Sequence, residues 1–177
     1  MDPRARAADV VHKLLAAWNA RDLPGFTALL TPDIYWHDLG MPHPPAVGRD
    51  AVRRFSDSIL RAFPDFQYEF RGPLCIAEDG TTCVLPWTIS ATLTGTFDPP
   101  GLAPTGRRVQ FSGLDYFTLR DGLVARIETR FDPVEPIEQL FGWHLRPVAG
   151  SWTERCFVWI QRARAAWLRR KPAERSK

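Results

Sequence analysis

The sequence predicts an α+β fold in which helices come first and a curved antiparallel sheet follows. Three observations predict it. Apolar residues recur at helical spacing up to residue 63, they alternate with period two from residue 66 to 131, and Asp121-Gly122 sits between the last two alternating runs. Asp-Gly in that setting is the strongest short-range hairpin signal, because both turn residues must tolerate positive φ.

The elements follow in order. Residues 5–20 carry Val10, Val11, Leu14, Leu15 and Trp18 on one helical face, and Asn19, Arg21 and Asp22 end that helix. A short helix is expected over 23–30, entered through Pro24 and stopped before Pro32. Ile34-Tyr35-Trp36-His37 has the aromatic, β-branched composition of a strand. A proline loop, Gly40-Met41-Pro42-His43-Pro44-Pro45, leads to Gly48 and a third helix over 49–63, with Val52, Phe55, Ile59, Leu60 and Phe63 inward and Pro64 as its stop. Strands are expected over 66–71, 74–77, 83–94, 109–119 and 123–131, and a short helix over 134–141. A sheet of this kind, closed by helices into a cone, leaves a cavity where a ligand is expected.

At 177 residues the chain is long enough to bury a full core as one domain, here residues 1–145, followed by an extension over 146–177. The net charge of +3 is unevenly spread. Residues 1–150 hold 15 Lys/Arg against 18 Asp/Glu, a net −3, and residues 151–177 hold 8 against 2, a net +6. Basicity confined to a tail argues against nucleic acid as the partner of the fold. The tail, residues 151–171, interleaves Trp152, Phe157, Ile160 and Trp167 with arginines. It reads as a basic aromatic helix that packs on its own domain, joins a dimer partner or lies on an anionic membrane, with packing preferred and membrane contact the least expected. No run reaches the length of a membrane span, and the N-terminus lacks the apolar stretch of a signal peptide, so a cytoplasmic location is expected. Cys75 and Cys83 flank the Asp79-Gly80 turn, either facing each other or simply packed.

If Asp121-Gly122 is a two-residue loop, Arg120 faces Leu123, Phe117 faces Arg126, Asp115 faces Glu128, Gly113 faces Arg130 and Phe111 faces Asp132. One face then carries Phe111, Asp115, Phe117, Arg126, Glu128, Arg130 and Asp132, and the other, with Leu114, Tyr116, Leu123, Ala125, Ile127 and Phe131, is core. Asp115, Glu128, Arg126 and Arg130 read as a solvated or salt-bridged face. Asp132 ends the strand just before Pro133, so the residues alone leave it as helix cap or proton-transfer group. His37, beside Trp36 and Asp38, is either a packing residue or a proton acceptor. His12, His43 and His144 show no metal-ligand spacing with each other or with the cysteines, so no metal is expected. With no phosphate loop and no Gly-x-Ser-x-Gly elbow, the chemistry expected is cofactor-free proton transfer by a carboxylate or imidazole in a dry pocket.

Over roughly residues 8–142 the chain resembles the SnoaL-like polyketide cyclases, within the superfamily of nuclear transport factor 2 and ketosteroid isomerase. The resemblance is carried by Ala17-Trp18-Asn19-Ala20-Arg21-Asp22, Tyr35-Trp36-His37-Asp38, Gly48-Arg49-Asp50-Ala51-Val52 and Ala62-Phe63-Pro64-Asp65-Phe66. It continues through Trp87, Leu93-Thr94-Gly95-Thr96-Phe97, Pro104-Thr105-Gly106-Arg107, Phe111-Ser112-Gly113-Leu114-Asp115 and Asp121-Gly122. The resemblance implies a cone-shaped sheet packed by N-terminal helices. The spacing from Gly122 to Asp132 and Gln139-Leu140 is also the family's, and it implies that Asp132 is the general acid/base of a ring-closing aldol condensation, with His37 in the pocket. One departure is Phe141, where the family has a small glycine and this chain reaches Gly142 one position later.

The expected function is thus cofactor-independent cyclisation of a hydrophobic polyketide- or steroid-like carbonyl compound, with Asp132 and His37 catalytic. Trp18, Trp36, Phe55, Phe63, Trp87 and Phe111 would wall the substrate, assisted by Asp115, Arg126 and Glu128. The alternatives are an isomerase, an epoxide hydrolase or dehydratase in the same pocket, and a non-catalytic small-molecule carrier. A homodimer or higher homo-oligomer is expected.

Overall fold

The computed structural model describes residues 2–39 and 44–170. The chain divides into two compact units, Met1–Gly142 and Trp143–Lys177.

The first unit opens with α1 (Pro3–Asn19), capped by Asp2 and burying Ala7, Val10, Val11, Leu14, Leu15 and Trp18. Asp22 accepts from Gly25 N at 2.9 Å and caps α2 (Leu23–Ala28). That helix is shorter than the sequence suggests because Leu30 and Thr31 already belong to β1 (Leu30–Asp38), whose burial pulls both inward. A two-residue strand, β2 (Ala46–Val47), precedes α3 (Arg49–Ala62). The sheet is completed by β3 (Gln67–Phe70), β4 (Cys75–Ile76), β5 (Thr82–Thr92), β6 (Arg108–Arg120) and β7 (Leu123–Phe131), and α4 (Val134–Phe141) closes the unit. Among the described residues the strands run β2-β1-β7-β6-β5-β3, with β4 also paired to β5. Every pairing is antiparallel except β1 with β7, which is parallel. The result is a curved, mostly antiparallel sheet with the N-terminal helices against its inner face, as the fold class expected of the sequence requires. His43 and most of the proline loop lie outside the described residues.

The register of the last hairpin departs from expectation. Asp121 (φ 55°) and Gly122 (φ 76°) form the two-residue turn, so Arg120 does face Leu123 and Leu119 faces Val124. Then Thr118 faces Arg126, which leaves Ala125 as an extra residue, a β-bulge in β7. Beyond it Phe117 faces Ile127, Asp115 faces Thr129 and Gly113 faces Phe131. A shift of one residue turns every later side chain of β7 over. Arg126, Glu128 and Arg130 therefore point outward, and Ile127, Thr129 and Phe131 point inward with Asp115 and Phe117. The bulge is what keeps three charges out of the core. Leu114 and Tyr116, expected in the core, stand on the outer face, 37% and 38% exposed.

Cys83 is buried and Cys75 is exposed; Cys83 pairs in the ladder with Ile76, so the two thiols do not face each other. In the second unit, α5 (Trp152–Arg170) is the basic aromatic helix.

Candidate active site

The inner face of the sheet is built from alternate residues of five strands: Ile34, Trp36 and Asp38 of β1, Ile127, Thr129 and Phe131 of β7, Phe111, Asp115 and Phe117 of β6, Leu85, Trp87 and Ile89 of β5, and Tyr68 of β3. Most of it is hydrocarbon and aromatic ring. Trp87 meets Tyr68 at 5.4 Å, Phe111 at 5.7 Å and Phe131 at 6.1 Å between ring centroids, and Trp18 meets Phe26, Trp36 and Phe66 edge-on. Trp36 in turn abuts Phe55 at 5.1 Å. Gly113 allows this packing: a Cβ there would lie 2.5 Å from the Trp87 ring and 2.5 Å from the Arg130 carbonyl oxygen.

Within this apolar surface lie two carboxylates. Asp115 is 5% exposed and Asp38 is 8% exposed. Asp38 is the ladder neighbour of Thr129, and Thr129 is the ladder neighbour of Asp115, so the three share a face in one row across β1, β7 and β6. Two strand spacings separate the acidic backbones, roughly 10 Å. Thr129 Oγ1 accepts from Trp36 Nε1 at 3.1 Å, which fixes the row from the β1 side.

Asp115 accepts a hydrogen bond at Oδ2 from the Tyr68 hydroxyl. Burial raises its pKa to about 6, against polar contributions from Tyr68, Thr129 and Trp87 that pull it down. Of these, Tyr68 is the one in direct hydrogen-bond contact with the carboxylate. Asp115 Oδ1 and Trp87 Nε1 are buried with no hydrogen-bond partner among the described residues. Trp87 nonetheless lies close enough to Asp115 for its indole N–H to lower the carboxyl pKa. Burial first, then the charges of Asp115 and Asp38, drive the Tyr68 pKa well upward, so this phenol stays a neutral donor.

Tyr68 sits on an edge strand, and Asn19 holds it there. The Asn19 side chain accepts from Tyr68 N at 3.0 Å and donates to Tyr68 O at 2.8 Å, taking the place of a neighbouring strand at the end of α1. Arg21, with φ 62°, continues the clamp by donating to the Pro64 carbonyl. Gln139 of α4 does the same for β6, bonding Gln110 N and Gln110 O at 2.8 Å each.

The residues expected from the sequence to form the site divide into four groups. Trp18, Trp36, Trp87, Phe111 and Asp115 come together on the inner face, with Phe55 beside Trp36. Phe63 instead packs on Phe97 at 6.1 Å. His37, Arg126 and Glu128 lie on the outer face. His37 has the parity of Tyr35, its ring neighbour at 6.2 Å, and is the ladder partner of Glu128. There Glu128 bonds Arg126 at 2.8 Å and Arg130 at 3.0 Å, contacts that lower its pKa, and Arg126 covers the Tyr35 ring at 4.3 Å. Asp132 is exposed, and its Oδ1 accepts from Val134 N at 2.9 Å, so it steadies the start of α4 one position before Pro133, the N-cap residue. Tyr68, Thr129 and Asp38 were not expected in the site. The signal was present for two of them: Asp38 shares parity with Ile34 and Trp36, and Tyr68 with Phe66 and Phe70, against polar Gln67 and Glu69. Among the described residues no three His, Cys, Asp or Glu side chains cluster as metal ligands would.

The SnoaL-like domain matches residues 11–127. The chain belongs to the SnoaL-like family. A comparison with curated proteins finds no match. Among solved structures, this SnoaL-like chain is similar to a candidate polyketide cyclase from Xanthomonas campestris pv. campestris, at 23% identity and TM-score 0.66, over 78% of this chain and 98% of that one. It is similar to AclR, a candidate hydroxylase from Streptomyces galilaeus, at 25% identity and TM-score 0.66, over 94% and 96%. It is also similar to a candidate SnoaL-like polyketide cyclase from Jannaschia sp. CCS1, at 18% identity and TM-score 0.71, over 81% and 97%.

Proposed function

We propose that this SnoaL-like protein is a cofactor-independent enzyme of the polyketide-cyclase type, acting by general acid/base chemistry on a hydrophobic carbonyl compound. The observation that carries the reading is Asp115, a carboxyl with its pKa near 6, held by Tyr68 among aromatic rings. The role expected of Asp132 passes to Asp115, because proton transfer to and from carbon needs a dry site and Asp132 is exposed. His37, on the outer face, has no part in this reading.

Near neutral pH Asp115 is mostly ionised yet basic enough to matter. It removes the proton from the carbon beside a carbonyl, and the Asp115 carboxyl then holds that proton. The enolate carbon forms the new bond to a second carbonyl carbon of the same molecule, and the electron pair of that carbonyl moves to its oxygen. The Asp115 proton goes to this alkoxide, which restores the carboxylate. Tyr68 orients Asp115 throughout, and the Trp18, Trp36, Trp87 and Phe111 rings exclude water. A second reading, a ring-enone isomerase, is favoured by Asp38. A second buried carboxylate in the same row gives a proton a place to be taken and a place to be returned, and Tyr68 lies within the electrostatic reach of both.

The test uses 2-tetralone, a two-ring ketone, in deuterated water, with NMR following exchange at the carbon beside the carbonyl. Exchange accelerated by the protein and lost in Asp115→Asn, with ketone binding retained, supports the proposal. Exchange no faster than buffer, or unaffected by that substitution, sinks it. Pairing with a second copy through the outer sheet face belongs to the same reading, supported by exposed Leu114 and Tyr116 there, as does residence in the cytoplasm.

A further inference from the structure

We propose that α5 docks this protein onto an anionic lipid surface, lying in the headgroup layer with its tryptophan face down. The helix has 19 residues. At 3.6 residues per turn, Trp152, Cys156, Trp159, Ile160, Ala163 and Trp167 fall within roughly a 100° arc. Arg155, Arg162 and Arg169 recur at seven-residue intervals and form a stripe along one border of that arc, while Arg164 lies along the other. The Arg164 guanidinium lies 4.0 Å from the centre of the Trp167 ring. The large side chains of the arc stand in solvent, Trp152 at 74% and Trp159 at 71% exposure. An apolar face of this size is rarely left uncovered in a soluble chain.

The charge on the helix selects what covers it. It has five arginines and one carboxylate, Glu154, which turns back to accept from Gly150 N at 2.7 Å. A second copy of this chain would bring arginine stripes against arginine stripes. Anionic headgroups instead neutralise both borders while the indoles enter the boundary with the acyl chains, the position that amphipathic tryptophan rings favour. Arginine stems are long enough to cover hydrocarbon and keep their charged ends in the headgroup layer. No described helix is long and apolar enough to cross a membrane, so α5 would lie in the surface.

The test is flotation of the full chain with vesicles of phosphatidylserine and phosphatidylcholine mixed one to two, alongside vesicles of phosphatidylcholine alone. The expected result is binding to the anionic vesicles, weakened by salt, with a blue shift of tryptophan emission. Each arginine near such a surface contributes about a fivefold change in partition, so Arg155→Glu with Arg162→Glu should lower it by more than about tenfold. Trp152→Ser with Trp159→Ser should also lower it, and remove much of the blue shift. Circular dichroism and the ketone exchange should be unchanged in both variants, since the substituted residues all belong to the second unit. Absence of flotation, or equal flotation with phosphatidylcholine alone, overturns the proposal. Self-association that depends on the tryptophans, or capture of single-stranded RNA, without vesicle binding would overturn it too and assign the face to those partners.

Discussion

Replacing Asp115 by Asn should change how stability depends on pH, and in a direction opposite to that of most acidic residues. A paired carboxylate usually has a depressed pKa and stabilises the fold above it. Asp115 is the reverse, its pKa raised by burial from the ordinary 3.8 to about 6. The folded state therefore holds the proton more tightly than the unfolded chain. Asp115 contributes stability fully below about pH 3.8, and that contribution is lost as pH rises through about 6. The gap between about 6 and 3.8, at about 1.4 kcal/mol per pH unit, corresponds to about 3 kcal/mol. Burial is nearly complete, so little is discounted for solvent screening. Asn does not titrate, so any constant cost of its amide cancels between two pH values. Urea unfolding of wild type and Asp115→Asn at about pH 4 and about pH 8 isolates the effect. The unfolded carboxyl is already partly ionised at about pH 4, so the difference between the proteins should move in favour of the variant by about 2–2.5 kcal/mol across that interval. A difference that stays flat, or moves in favour of wild type, would refute the raised pKa and with it the assignment of Asp115 as the proton carrier.

Tyr68→Phe removes a hydrogen bond that lowers the Asp115 pKa, so the acid limb of the exchange rate should move to higher pH; an unchanged limb would show that Tyr68 does not control Asp115. Asn19→Ala breaks both bonds to the Tyr68 backbone and should destabilise the protein by about 1–3 kcal/mol, read by urea unfolding, with faster hydrogen exchange in β3. Asp132→Ala should cost about 1 kcal/mol, the value of a lost helix-end contact, and leave ketone exchange intact. Loss of exchange in that variant with stability preserved would return the catalytic role to Asp132.

Much of the fold was legible because its signals are local. The apolar spacing of α1 and α3, the Asp-Gly turn and the alternation of β5 each declare themselves within a dozen residues. The inner site was legible only in part, because its composition depends on register. A bulge at Ala125 carries no mark in the sequence, unlike a glycine or proline, and one unmarked residue exchanged the two faces of β7. Arg126 and Glu128 left the site for that reason, and Thr129 entered it. Asp38 is legible for a different reason: its parity with Trp36 places the carboxylate inward, while the histidine beside it falls on the opposite face. Gln139-Leu140, familiar from the family pattern, proves to be mechanical, with the Gln139 amide pinning β6 and Leu140 buried beneath it.

The parallel pairing of β1 with β7 has a consequence for how the chain is made. Trp36 and Thr129 are joined by a hydrogen bond across 93 positions, and Asp38 finds its ladder neighbour at the same place. On a ribosome, which releases the chain from its N-terminus, β1 waits with one edge unpaired until β7 has emerged, and the row of Asp38, Thr129 and Asp115 is assembled among the last features of the sheet. During that interval Ile34 and Trp36 are exposed on an open strand edge, the condition under which a nascent chain is most prone to pair with the wrong neighbour. Any chaperone requirement of this protein should therefore end when β7 docks, and a chain stopped before residue 123 should be captured by chaperones rather than fold.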